Sequence, residues 1–161
     1  MSEDGLLPFV DAWSVDVDAP PAVVWEVLLA SGPAAGNGPV RRVWARLLGC
    51  DPCESNGLAP HRIGAERPGF AVCESVRPAT YALAGRHRFA RYQLVFRISQ
   101  RGGAGSRLTA ETFASFPATP GRLYRTVVID AKPHALVMWI TLRLLRRRAE
   151  RLARRQDARS A

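Results

Sequence analysis

The chain has 161 residues, 47% of them apolar, and a formal net charge of +9. This length suits one domain with its own core, and this composition excludes an intrinsically disordered chain. The longest apolar run, 135–145, is interrupted by Arg143 and is too short for a membrane-spanning helix.

The opening residues Met1-Ser2-Glu3-Asp4-Gly5 are acidic and lack the basic and apolar regions of a signal peptide, so a cytoplasmic location is expected. Trp13, Val15 and Val17 alternate with Ser14 and Asp16, which predicts a strand with one buried face. In Asp18-Ala19-Pro20-Pro21, Asp18 or Ala19 suits the cap and proline suits the first turn of a helix. That helix runs through Val24, Trp25, Val27 and Leu28 and ends before Gly32-Pro33. A second helix fits Val40 to Leu48, with Val43, Trp44, Leu47 and Leu48 on one side and Gly49 as its stop.

Residues 49–69 are turn-rich and predict a long connection with a short strand near Ile63. Cys50-Asp51-Pro52-Cys53 lies in this loop. A redox CxxC opens a helix, whereas this one follows a helix. A zinc site would need His61 and Cys73 at irregular spacing. The pair therefore reads as incidental, and three cysteines argue against a disulfide framework.

Four strand-like runs follow: Phe70–Val76, Thr80–Phe89, Tyr92–Ser99 and Ser106–Phe116. Their breaks are short, so the strands form an antiparallel meander. From Arg122 the spacing of Leu123, Tyr124, Val127 and Val128 is helical. Pro133 starts or kinks a segment that continues to about Arg155, apolar nearly all round at first and charged later. Residues 143–159 hold eight Arg against Glu150 and Asp157, a net of +6. The basicity is thus concentrated at one helix end, expected to project into water past Leu145, and no nucleic-acid partner is expected.

The order of elements predicts an α+β domain in which a curved antiparallel sheet buries its apolar face against the long C-terminal helix. One domain spans 1–161, with an ordered core of about 8–150 and a basic tail of about 151–161. The segment Val15-Asp16-Val17-Asp18-Ala19-Pro20-Pro21-Ala22-Val23-Val24-Trp25 resembles the opening of the SRPBCC superfamily, the START-like or helix-grip proteins. Gly85 to Tyr92 with Phe96, Leu108-Thr109-Ala110-Glu111-Thr112, Phe116-Pro117 and Gly121-Arg122-Leu123-Tyr124-Arg125 are similar to an uncharacterised subgroup of it. The resemblance covers roughly residues 10–150. It implies a deep apolar cavity between sheet and helix. The superfamily includes lipid carriers, polyketide cyclases and aromatases, so fold alone does not fix function.

Strand alternation assigns the strand residues to the cavity, and the helical regions add Trp25, Tyr124, His134 and Met138. The candidate wall comprises Trp25, Phe70, Val72, Glu74, Leu83, His87, Tyr92, Leu94, Phe96, Ala110, Thr112, Tyr124, His134 and Met138. One bulge would invert part of this set. The leading expectation is binding or carriage of a small hydrophobic molecule. The alternative is an enzyme of the polyketide cyclase/dehydratase type, with His87, Glu74 and Tyr92 as acid–base candidates. Against it stand plainer roles: a hydrogen-bonded core histidine, a surface carboxylate and packing tyrosines. Glu111 falls on the outer face and should pair with Arg97 or Arg107. The chain lacks a Walker loop, a GxGxxG, a nucleophile elbow and an HExxH, so neither cofactor nor metal is expected. The sequence leaves self-association open.

Overall fold

Period-two alternation gives way to helical spacing twice along this chain, and the fold follows those changes. A computed structural model of the chain describes residues 7–36, 38–116 and 133–160. Within them run β1 (Phe9–Val17), α1 (Pro21–Ser31), α2 (Pro39–Leu48), β2 (Glu66–Arg67), β3 (Phe70–Val76), β4 (Thr80–His87), β5 (Ala90–Arg101), β6 (Gly105–Ser115) and α3 (Pro133–Ser160). The helical stretch expected from Arg122 lies outside the described residues.

The strands form one sheet in the order β1-β6-β5-β4-β3-β2, every neighbour antiparallel. Short connections dictate the meander β3–β6. Gly103, at φ 72°, supplies the left-handed residue that the β5–β6 turn needs. β1 closes the far edge by pairing with β6, Trp13 opposite Ala110 and Val15 opposite Leu108.

α1 begins after Pro20, which takes the cap position without a side-chain hydrogen bond, and Pro21 opens its first turn. It buries Val23, Val24, Trp25, Val27 and Leu28 against the inner face of the sheet. There Tyr81, Leu83, Phe96 and Leu108 are fully buried. Trp25 meets Tyr81 edge to face, centroids 5.8 Å apart. The Tyr81 hydroxyl donates to the Pro60 carbonyl at 2.7 Å. Burial pushes its phenol up to about 12. On the outer face Arg97 donates to Glu111 at 3.0 Å, one of the two pairings expected for Glu111. Arg107 pairs with Asp16 instead.

Four expectations need correction. The short strand is at Glu66–Arg67, and Ile63 sits exposed in a turn before it. In α2, Val43, Trp44 and Leu47 are mostly exposed and only Ala45 is buried. A bulge between Val72 and Glu74 inverts the lower half of β3. Ser75 therefore lies opposite Tyr81, while Glu74 is exposed opposite Ala82 on the outer face. Finally, α3 does not leave the body at Leu145. Leu145, Ala149 and Ala153 are all buried, and Glu150 accepts from the Asp18 N–H at 3.3 Å and from Arg146 at 2.8 Å. Its arginines occupy the outward stripe of a helix that stays packed.

Candidate ligand cavity

α1 covers only part of the inner face. Where β4 ends, β5 begins and β6 ends, the sheet is roofed by the first turns of α3 and flanked by α2. Between them lies a cavity of about 590 Å³. Its wall is Phe70, His87, Tyr92, Leu94, Thr112 and Ala114 from the sheet and His134, Val137, Met138 and Thr141 from α3. Arg41, Trp44, Ala45 and Leu48 from α2 and Cys50 after it also line the cavity, with the end of α1 and residues 68 and 69 at its margin.

Seven of the fourteen residues assigned from sequence stand on this wall: Phe70, His87, Tyr92, Leu94, Thr112, His134 and Met138. Trp25, Val72, Leu83, Phe96 and Ala110 do not. They belong to the solid core under α1, whose Trp25 and Leu28 fill the space that a uniform cavity would have occupied. Glu74 is excluded by the bulge, so it is no partner for His87. Tyr124 lies outside the described residues.

The polar groups form two sets. In the first, Thr112 Oγ1 and His134 Nε2 are 3.1 Å apart. Asp11 lies opposite Thr112 in the β1–β6 ladder. Its Oδ2 accepts from the Trp13 indole N–H at 3.0 Å, and its Oδ1 faces His134 Nε2 at 3.5 Å. That Oδ1 is buried without a hydrogen-bond partner among the described residues. Both neighbours share one imidazole nitrogen, Nε2. A nucleophilic triad uses opposite ring nitrogens for its hydroxyl and its carboxylate, so this set is not one. It is a hydrogen-bonding corner suited to a ligand hydroxyl or carbonyl.

The second set surrounds Tyr92. Its hydroxyl donates to the Gly69 carbonyl at 2.6 Å, and its ring meets Phe70 edge to face at 5.6 Å and His87 at 5.5 Å. Tyr92 lies across the ladder from Gly85, whose missing side chain lets the ring lie flat on β4. His87 Nδ1 accepts from the Phe89 N–H at 3.2 Å. Burial pulls the His87 pKa below the ordinary histidine value. A neutral ring that accepts at Nδ1 carries its proton on Nε2. Burial likewise raises the Cys50 thiol, which makes it a poor nucleophile.

No family model matches the chain, and no curated protein matches it. Among solved structures it is similar to a Thermobifida fusca protein determined in solution by NMR, with a TM-score of 0.56 and 21% identity over 88% of this chain and 93% of that one. It is also similar to the Mll3558 protein of Rhizobium loti, with a TM-score of 0.52 and 16% identity over 86% and 96% of the two chains. The chain has the helix-grip fold: a six-stranded antiparallel sheet with a long C-terminal helix and two short helices after the first strand.

In this helix-grip chain α3 keeps a buried stripe from Met138 to Ala153, yet only its first turns roof a hollow. Sequence reasoning missed Arg41, Cys50 and Asp11. Arg41, Trp44, Ala45 and Leu48 follow i, i+3, i+4, i+7 spacing, so shifting the apolar stripe of α2 by one position would have found Arg41. Continuing the β1 alternation two residues before Trp13 would have found Asp11. Among the described residues no group of three or more His, Cys, Asp or Glu could hold a metal ion. Among them, too, no helix is long and apolar enough to cross a membrane.

Proposed function

We propose that this protein binds one small, mainly apolar molecule in its cavity. The observation that carries the reading is the hollow itself. About 590 Å³ is left unfilled at one end of a sheet whose other end is solidly packed. That volume lies within the common range for small-molecule pockets. Carbon surface dominates the wall and the polar groups converge at few points, as ligand orientation requires. A thermal-shift and calorimetric screen with a fatty alcohol, a sterol and an aromatic polyketide tests it. Saturable one-to-one binding is expected, with a stabilisation of about 2.7 kcal/mol at a hundredfold excess over Kd. No shift with any of the three classes would remove the support for this reading.

A second reading is an acid–base enzyme of the cyclase or dehydratase type. The contact favouring it is Thr112 with His134, on the same wall as His87 and Tyr92. His134→Ala and His87→Ala separate the two readings. A carrier keeps its ligand in both variants within a few-fold. An enzyme keeps binding but loses turnover, about a hundredfold or more for removal of a general acid or base.

A further inference from the structure

A charged side chain is costly to place beside an apolar hollow, and Arg41 lies there. It is half-buried on α2 and lines the cavity. Its Nε donates to the Pro68 carbonyl at 3.2 Å, and its guanidinium carbon lies 5.4 Å from the centre of the Phe70 ring. Those two contacts fix the plane of the group. Neither terminal nitrogen has an acceptor among the described residues.

Burial sets Arg41 apart from the other described arginines, which are exposed except Arg67, whose guanidinium donates to Ser55 Oγ and to the Glu66 and Leu58 carbonyls. Of the exposed ones, Arg46, Arg77, Arg86, Arg97, Arg101, Arg107 and Arg146 each face a carboxylate. All of those are surface pairs. Arg41 is set into the wall with no carboxylate partner among the described residues. Burial lowers its pKa, but a guanidinium stays charged throughout the physiological range. The groups facing it, the Tyr92 phenol and the Cys50 thiol, are neutral near pH 7. A partly desolvated cation with no counter-charge is unfavourable unless something anionic meets it.

We propose that the cavity ligand is an amphipathic acid whose carboxylate is held by the terminal nitrogens of Arg41 while its apolar body fills the hollow toward Leu94, Ala114 and Met138. This rests on the cavity-binding reading and adds the chemical class of the ligand. The planar fork of arginine suits a carboxylate, which it binds through two parallel hydrogen bonds. One lone cation matches a monoanion better than a phosphate dianion.

Matched probes test it: dodecanoate against dodecan-1-ol, and 2-naphthoate against 2-naphthol, titrated by calorimetry at pH 7.5. In the wild-type protein the acid of at least one pair is expected to bind about tenfold or more tighter than its alcohol. Arg41→Met should abolish that preference while still binding the alcohol, which also shows that the variant is folded. Arg41→Lys, which keeps the charge and loses the fork, should fall between them and serves as the variant to read should Arg41→Met not fold. Equal binding of acid and alcohol by the wild type, or a preference that survives in Arg41→Met, overturns the carboxylate proposal and leaves the cavity reading standing. Failure of all four probes to bind overturns the carboxylate proposal, and the cavity reading falls with it if the sterol and the aromatic polyketide fail as well.

Discussion

A methyl group on Gly85 would collide with the Gly69 carbonyl oxygen and come within 2.8 Å of the Tyr92 hydroxyl. The Tyr92 hydroxyl is bound to that same carbonyl, so moving either neighbour away strains or breaks that hydrogen bond. Gly85→Ala should therefore cost about 1–3 kcal/mol, the usual range for overpacking, read as a lower midpoint in urea with an unchanged slope. His87 sets a pH dependence at the same scale. Its folded-state pKa is depressed by burial below the unfolded value of about 6.5. The unfolded chain thus binds more protons, so this contribution to stability is complete above about 6.5 and is lost as pH falls through that value toward the folded pKa. Unfolding midpoints measured from pH 8 to pH 5 should fall, and His87→Gln should flatten that part of the curve.

At the scale of elements, local chemistry carried most of the information. Alternation in β4, β5 and β6 sorted the faces as the structure has them, because no bulge interrupts the β4–β5 and β5–β6 ladders. Glu74 was misplaced because a bulge leaves no mark in residue type, and Trp25 because its spacing marks it as inward-facing without saying whether it meets side chains or a void. The error over α3 has a clearer cause. Eight arginines on a helix read as a solvated end, yet Leu145, Ala149, Leu152 and Ala153 keep a narrow apolar stripe beneath them. Deleting residues 146–161 should therefore destabilise the domain and not merely reduce its charge. It removes buried Ala149 and Ala153 and the bond from Glu150 to the Asp18 backbone at the start of α1. A loss of several degrees in Tm is expected, and an unchanged Tm would show that the basic half contributes nothing to packing. Ala149→Arg, which places a long charge under the helix, should reproduce most of that loss in a full-length chain.

The molecule as a whole is built from two unequal halves, one solid and one hollow, sharing a single sheet. β6 crosses both with its inner face. Ala110 stands at the solid end, fully buried in the cluster around α1, whereas Ala114 stands four residues on, along the same face, at the cavity wall. The two positions have the same residue type and the same strand geometry, so they differ chiefly in what lies in front of them. Ala110→Phe must push into Trp13, Val15 and Phe96 or their neighbours and should cost about 1–3 kcal/mol or more. Ala114→Phe places the same ring in unfilled space. Atoms around a void lack partners on one side, so the added ring gains dispersion contacts and removes apolar surface from water. Its effect on stability should lie within about 0.5 kcal/mol of zero or be favourable, while ligand affinity drops at least tenfold because the ring occupies the ligand's volume. Urea unfolding of the two variants, together with titration of Ala114→Phe by the same acid and alcohol probes, measures both effects. Equal destabilisation by the two substitutions would mean that the hollow closes in solution, and the cavity would then lose its standing as a binding site.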